Sequence, residues 1–180
     1  MKSRKNRTAV IALTALIAAA LCILGPISIP IPVSPVPISL ATFVICLSAY
    51  VLGMKAGAAS VVIYLLLGLA GLPVFTGFQG GPGKMFGPTG GYLIGYIFLA
   101  LIGGLFADKT EKWYLQLVGF LIGTAVLYTF GTVWLAVQAS LDLRAALFAG
   151  VIPYIPLDLV KIAAALLTGS RIRKQIKHIG

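Results

Sequence analysis

The sequence predicts an all-α integral membrane protein, six transmembrane helices in a compact bundle with both termini in the cytoplasm. Three observations predict it. Of 180 residues, 59% are hydrophobic and 10% charged, and the mean hydropathy is +1.04, far more apolar than a soluble domain of this length hides in one core. Proline, glycine and short charged turns divide the apolar sequence into six stretches near bilayer length. With six spans, eleven Lys and Arg residues fall on one side and only Lys84 and Arg144 on the other. The positive-inside rule then places both termini inside.

Residues 1–180 are expected to form a single transmembrane domain. Lys2, Arg4, Lys5 and Arg7 precede the first apolar span, 9–25, which ends against Pro26. A cleaved signal peptide has a similar pattern, but this apolar run is long for one and no polar domain follows it, so a first membrane helix is expected. Prolines at 26, 30, 32, 35 and 37 cannot continue a helix and predict a stiff, extended loop. Spans two and three, 38–52 and 56–72, meet at a tight turn, Gly53-Met54-Lys55. The next loop carries Gly77, Gly80, Gly81, Gly83 and Gly87, a backbone free to adopt unusual angles or to approach a ligand closely. Span four, 89–107, ends in the charged turn 108–112. Span five, 113–138, opens with Trp113 and Tyr114 as interfacial anchors. Span six, 145–168, leads to a basic tail with Arg171, Arg173, Lys174 and Lys177.

Several function classes are disfavoured at once. The net charge of +10 sits mainly in terminal clusters, not in a basic stripe with interleaved aromatics. It therefore predicts lipid headgroup contact and topology, with no nucleic-acid partner. Cys22 and Cys46 lie in apolar spans without a CxxC pattern, and His178 is the one histidine, so neither a metal site nor a bound cofactor is expected. No nucleophile, base and orienting group can be assembled from the ionisable residues, which argues against a membrane enzyme.

What remains is a buried charge pair. Asp158 and Lys161 are the only charged residues between Arg144 and Arg171. Their spacing puts both heads on one helix face, and Pro156 suits the first turn of a helix that re-forms just before them. Counted along an unbroken span six, they lie roughly 12 to 24 Å from its outer end. A charge at such depth usually marks a functional site. The alternative is an ion pair that only locks two helices together. A proton relay does not fit, since no other Asp, Glu or His lies inside a span.

Weaker signals surround the pair. The segment 87–95, Gly-Pro-Thr-Gly-Gly-Tyr-Leu-Ile-Gly, places Thr89, Gly90, Gly91 and Tyr92 where the glycine-rich loop becomes a helix whose first N–H groups are unpaired. Gly91 and Gly95 equally allow a neighbouring helix to come close. Ala15 and Ala19 form a small-xxx-small pair in span one, suited to internal packing or to docking on another subunit. Phe75, Phe78, Phe86 and Tyr92 cluster about the outer loop, as interfacial residues or as walls for a flat apolar ring.

Together these segments resemble a known family. Pro35-Val-Pro-Ile-Ser-Leu40, Tyr64-Leu-Leu-Leu-Gly-Leu-Ala-Gly-Leu-Pro-Val-Phe75, the 87–95 segment and Pro156-Leu-Asp-Leu-Val-Lys161 occur in the order and spacing of BioY. BioY is the biotin-specific substrate-binding subunit (S component) of energy-coupling factor (ECF) vitamin transporters. The resemblance covers nearly the whole chain. It implies high-affinity biotin binding from outside, with the outer loops after helices one and three closing over the vitamin. It further implies that Asp158 and Lys161 hold biotin's polar groups, while Thr89, Gly90, Gly91, Tyr92 and the loop around Phe75 complete the pocket. Ala15 and Ala19 would dock on a transmembrane coupling subunit driven by two ATPases, in a bacterial or archaeal plasma membrane. The chain has no nucleotide-binding motif of its own. It has Ala41-Thr42 where many members have Gln-Thr, which removes a polar group near the outer end of span two. The alternatives are an S component for another small vitamin and a structural membrane subunit without a transport role.

Overall fold

The computed structural model describes residues 2–31 and 34–179. The chain runs through α1 (Lys2–Leu24), β1 (Ser28–Ile31), β2 (Ser34–Ser39), α2 (Ala41–Leu69), α3 (Pro82–Met85), α4 (Gly90–Lys109), α5 (Trp113–Gln138), α6 (Leu143–Gly150) and α7 (Ile155–Ile179). Among the described residues, four helices are long and apolar enough to cross a bilayer, or five when the bent pair α6 and α7 is taken as one.

The longest helix is not straight. Gly53 has φ 79° and ψ −176°, a left-handed-side conformation that only glycine adopts without strain. The hydroxyl oxygens of Ser48 and Ser60 lie 2.7 Å apart, whereas twelve residues of straight helix would separate them by roughly 18 Å. Thus α2 is a helical hairpin, its halves folded back at Gly53 where the sequence places a turn. Gly57 lets the halves touch, since a Cβ there would sit 2.8 Å from the Ala49 Cα. The hydroxyls of Ser48 and Ser60 answer each other and the Gly57 carbonyl, so neither is stranded in an apolar interior.

Against this hairpin packs α4, and against α4 packs α5. Their contact is built on small residues: a Cβ on Gly103 would lie 2.4 Å from the Phe120 ring, and one on Gly131 would lie 2.3 Å from Tyr92. In a membrane, where helix association draws little on the hydrophobic effect, such close backbone approach supplies the van der Waals contact that holds helices together. Gly91 meets Trp134 and Gly95 meets Leu127 in the same seam.

Two segments depart from expectation. The proline-rich loop is a two-stranded antiparallel ribbon, with Ser28 opposite Ser39, Ile29 opposite Ile38 and an irregularity between Ile29 and Ile31. Proline is tolerated there because both strands of a two-stranded ribbon are edges and each has a side that needs no N–H. Span six is two helices bent by 44°. Pro153 lies in the break, and α7 restarts at Ile155 with Pro156 in its first turn, as the sequence suggested. Asp158 therefore sits in the first turn of α7, about 5 Å along it, and Lys161 about 9 Å. The roughly 12 to 24 Å counted from residues 145–150 thus follows a path bent by 44° and not one straight axis.

At the other end of α7, Arg173 ties three elements. Its guanidinium donates to the carbonyls of Tyr50 at 3.0 Å and Ala107 at 2.8 Å, pairs with Asp108 at 3.1 Å and lies over the Tyr50 ring. The other Asp108 oxygen accepts from the Met54 N–H at 2.8 Å, just past the Gly53 turn. A Cβ on Gly53 would meet the Asp108 carboxylate at 2.5 Å. Replacing Gly53 with alanine adds this clash to left-handed strain, and we expect a loss of about 1–3 kcal/mol, measured as a lower thermal unfolding midpoint in detergent.

Candidate functional site

The site is built where the α6–α7 break, the start of α2 and the middle of α5 converge. Asp158 is 6% exposed. Its Oδ1 accepts from Lys161 Nζ at 2.8 Å and from the Thr42 hydroxyl at 3.2 Å, and its Oδ2 accepts from the Tyr128 hydroxyl at 2.6 Å. Lys161 also donates to Thr42 Oγ1 at 3.1 Å. Position in the first turn of α7 favours the carboxylate further, because the unpaired N–H groups of a helix start carry partial positive charge.

The hydrogen-bond capacity of the pair exceeds what these contacts use. A carboxylate accepts about four bonds and an ammonium donates three; Asp158 accepts three here and Lys161 donates two. One acceptor position, on Oδ2, and one Lys161 N–H are left over. That combination suits a group presenting an N–H next to a carbonyl, such as an amide or a urea.

Asp158 and Lys161 open on a cavity of about 40 Å³ walled by Tyr92, Tyr96, Tyr128, Tyr154 and the β2 strand. The volume is little more than one water molecule's share of the liquid, roughly 30 Å³. Tyr92 belongs to this wall, its hydroxyl donating to the Gly150 carbonyl at 3.1 Å and lying 3.2 Å from Thr132 Oγ1. The remaining residues singled out in the sequence lie elsewhere. Gly90 packs on the Met85 backbone and Gly91 on Trp134. Phe75 is fully buried, edge-on to Tyr64 at 5.5 Å and tight against Gly68. Thr89 lines a separate cavity of about 490 Å³ with Gln79 and Lys84, where burial lowers the Lys84 pKa. Ala15 and Ala19 are exposed along α1. A groove of about 460 Å³ along α5, lined by Val126, Phe130, Val133 and Val137, offers no comparable charge.

Sequence reasoning missed Thr42, Tyr128, Tyr96 and Tyr154. Thr42, Tyr96 and Tyr128 come from other helices than the charge pair, so no spacing links them to it, whereas Tyr154 precedes Asp158 by four residues, just before α7 begins. The available signal was a hydroxyl inside an apolar span, which when buried requires a partner. Ala41 is fully buried in the core, so the polar group facing Asp158 at this end of α2 comes from its neighbour Thr42.

These features define a class: a small helical membrane protein with a buried charge pair beneath a β-ribbon, the architecture of an S component. The fold superposes on the 2.1 Å crystal structure of the S-component for biotin from an ECF-type ABC transporter with a TM-score of 0.88, at 33% identity, covering 94% of this chain and 93% of that one. The family model for BioY matches residues 1–178, and the chain belongs to the BioY family. Curated relatives agree. The biotin transporter BioY of Thermotoga maritima is 42% identical over 146 residues, 81% of this chain and 86% of that protein. The probable biotin transporter BioY of Pyrococcus horikoshii is 39% identical over 145 residues, 81% and 85%. The biotin transporter BioY of Rhizobium etli is 38% identical over 169 residues, 87% and 89%.

The charge pair predicts an asymmetric mutational response. Lys161→Met leaves a buried carboxylate without its cation and should destabilise the protein by about 3–5 kcal/mol. Adding Asp158→Asn should recover most of that loss, as read by thermal unfolding of the single and double variants in detergent.

Proposed function

We propose that this chain is the high-affinity biotin-binding membrane subunit of an ATP-driven, ECF-type vitamin uptake transporter. It is a multi-pass protein of the bacterial or archaeal plasma membrane, and not an enzyme. The carrying observation is the Asp158–Lys161 pair with one acceptor and one donor to spare, buried in a chain of the BioY family.

Biotin's chemistry fits this pair. Its ureido ring carries two N–H groups and a carbonyl, its thioether ring is apolar, and its valerate chain ends in a carboxylate. Asp158 accepts from the ureido N–H, and Lys161 donates to the carbonyl or to the carboxylate. Thr42 and Tyr128 hold the Asp158 oxygens in place, and Tyr92 supplies a flat wall. Gly91 serves the pocket by bringing α4 close to α5, so that Tyr92 reaches it, and Gly90 by letting α4 begin against the Met85 backbone. Phe75 serves it by anchoring the outer loop, and Thr89 by lining that loop's cavity.

The topology is six crossings in a single transmembrane domain: α1, the two halves of α2, α4, α5, and α6 with α7. The fold-back of α2 at Gly53 supports counting that helix twice. Lys55, Lys109, Lys112 and the basic tails then share one side, which puts both termini in the cytoplasm. The ribbon and the glycine-rich loop face outward, where biotin arrives. Energy comes from partners, a transmembrane coupling subunit and two ATPases. The exposed small residues Ala15 and Ala19 on α1 form the docking face, since small side chains allow close helix approach.

One observation favours a purely structural role: at 2.8 Å the ion pair closes on itself. Mass spectrometry of small molecules released by denaturing the purified protein separates the readings, with biotin the expected product. Binding assays across a panel of vitamins would expose an S component with another ligand. Asp158→Asn removes a charged acceptor whose hydrogen bonds contribute about 1.5–3 kcal/mol. Biotin affinity should therefore fall about ten- to hundredfold while the protein still inserts, and an unchanged affinity would remove Asp158 from the site.

A further inference from the structure

The cavity of about 490 Å³ in the glycine-rich loop is lined by Gln79, Lys84 and Thr89 among glycines and a proline, with no acidic residue. The hydrogen-bond acceptors on this wall are already used. The Gln79 carbonyl accepts the Phe75 N–H at 2.9 Å, and the Thr89 carbonyl accepts the Tyr92 N–H at 3.2 Å. The Gly87 carbonyl accepts both the Gly90 N–H and the Trp134 indole N–H, each at 2.9 Å.

The donors are not used. Among the described residues, the half-buried Lys84 ammonium has neither an ion pair nor a hydrogen bond. Burial without a counter-ion lowers its pKa, a cost that an incoming anion offsets. Thr89 is 8% exposed, yet its hydroxyl makes no hydrogen bond, not even to the start of the helix it caps. A hydroxyl buried to that degree ordinarily has a partner. The first turn of α4 begins at this wall, and its N–H groups add partial positive charge. An unused ammonium, amide and hydroxyl beside a helix start suit a guest that only accepts, and a carboxylate is such a guest.

The charge pair leaves the acid end of a ligand without a place. The cavity beside Asp158 and Lys161, about 40 Å³, takes no more than the tip of a two-ring vitamin. Thr89 lines the loop cavity and Tyr92 the inner one. They are three residues apart on α4, about 4.5 Å along its axis, a distance that an extended valerate chain covers. Resting on the biotin-binding reading above, we infer that Lys84, with Thr89 and Gln79, binds the ligand's carboxylate in the loop cavity and leaves Lys161 to the ureido carbonyl. Asp158 and Lys161 then match the ureido group alone, acceptor to N–H and donor to carbonyl.

The test pairs a residue with a ligand group, using the full-length protein in detergent. Lys84→Met should weaken biotin binding roughly tenfold, the lower end for a hydrogen bond to a charged group. Biotinamide, whose tail carries no charge, should bind the unchanged protein about tenfold more weakly than biotin does, and Lys84→Met should leave it within about twofold. Lys84→Arg, which keeps the cation, should restore most of the preference for biotin. Equal losses for biotin and biotinamide would show that Lys84 only supports the loop, and an unchanged biotin affinity would take Lys84 off the ligand; either overturns the inference. If the unchanged protein binds no biotin, the vitamin reading falls and the carboxylate site is tested without it. The lysines are then methylated with a carbon-13 label, and the Lys84 NMR signal is assigned by its loss in Lys84→Arg. Saturable movement of that signal with sodium valerate, and none with equal sodium chloride, supports the site, whereas no movement with valerate overturns it.

Discussion

An ammonium and a carboxylate buried in an apolar helix bundle can persist only when each meets a partner, and the end of this molecule where α2, α5 and α7 meet is arranged around that demand. The idealised cost of moving one such ion into a medium of low dielectric is of order 20 kcal/mol, and several kcal/mol remain after relaxation. Asp158 meets it with Lys161, Thr42 and Tyr128, drawn from α7, α2 and α5. Three separate helices are thereby committed to one carboxylate. A site built this way is rigid before any ligand arrives, which is what selective binding of a small polar ring asks of a protein.

The glycine seam between α4 and α5 serves the same end. It brings two helix backbones close enough for Tyr92 to reach from α4 over Gly131 to the Gly150 carbonyl. Tyr92 thus joins α4 to the end of α6, one residue before the break that orients α7. Packing and site chemistry share residues here, and one substitution in the seam alters both.

How much of this was legible in the sequence depends on the range of the interaction that decides each feature. The helices were legible because apolar length and terminal charge are local properties, and the Gly53 turn because a glycine two residues before a lysine interrupts an apolar run. Asp158 and Lys161 were legible because charge in such a run is rare. The ribbon was not, since prolines announce an extended chain without announcing its partner strand. The 44° bend between α6 and α7 is only half legible: Pro156 marks the restart, but apolar length alone runs on across Pro153. Thr42 and Tyr128 lie 116 and 30 residues from Asp158, and no periodicity connects positions brought together only by tertiary folding. Gly91 suits both a ligand and a helix neighbour by its sequence context, and its neighbour in space is Trp134.

The knot at Arg173 bears on biogenesis. Chains are threaded into the membrane in the order of synthesis, so α2 and α4 arrive well before α7. Until then the Tyr50 and Ala107 carbonyls lack the guanidinium that binds them, and the Asp108 carboxylate lacks its cation. The same late helix brings Asp158 and Lys161. Intermediates in which α7 has not yet docked are therefore open at both ends of the bundle, and docking of that one helix closes the Arg173 end while it brings Asp158 and Lys161 to Thr42 and Tyr128.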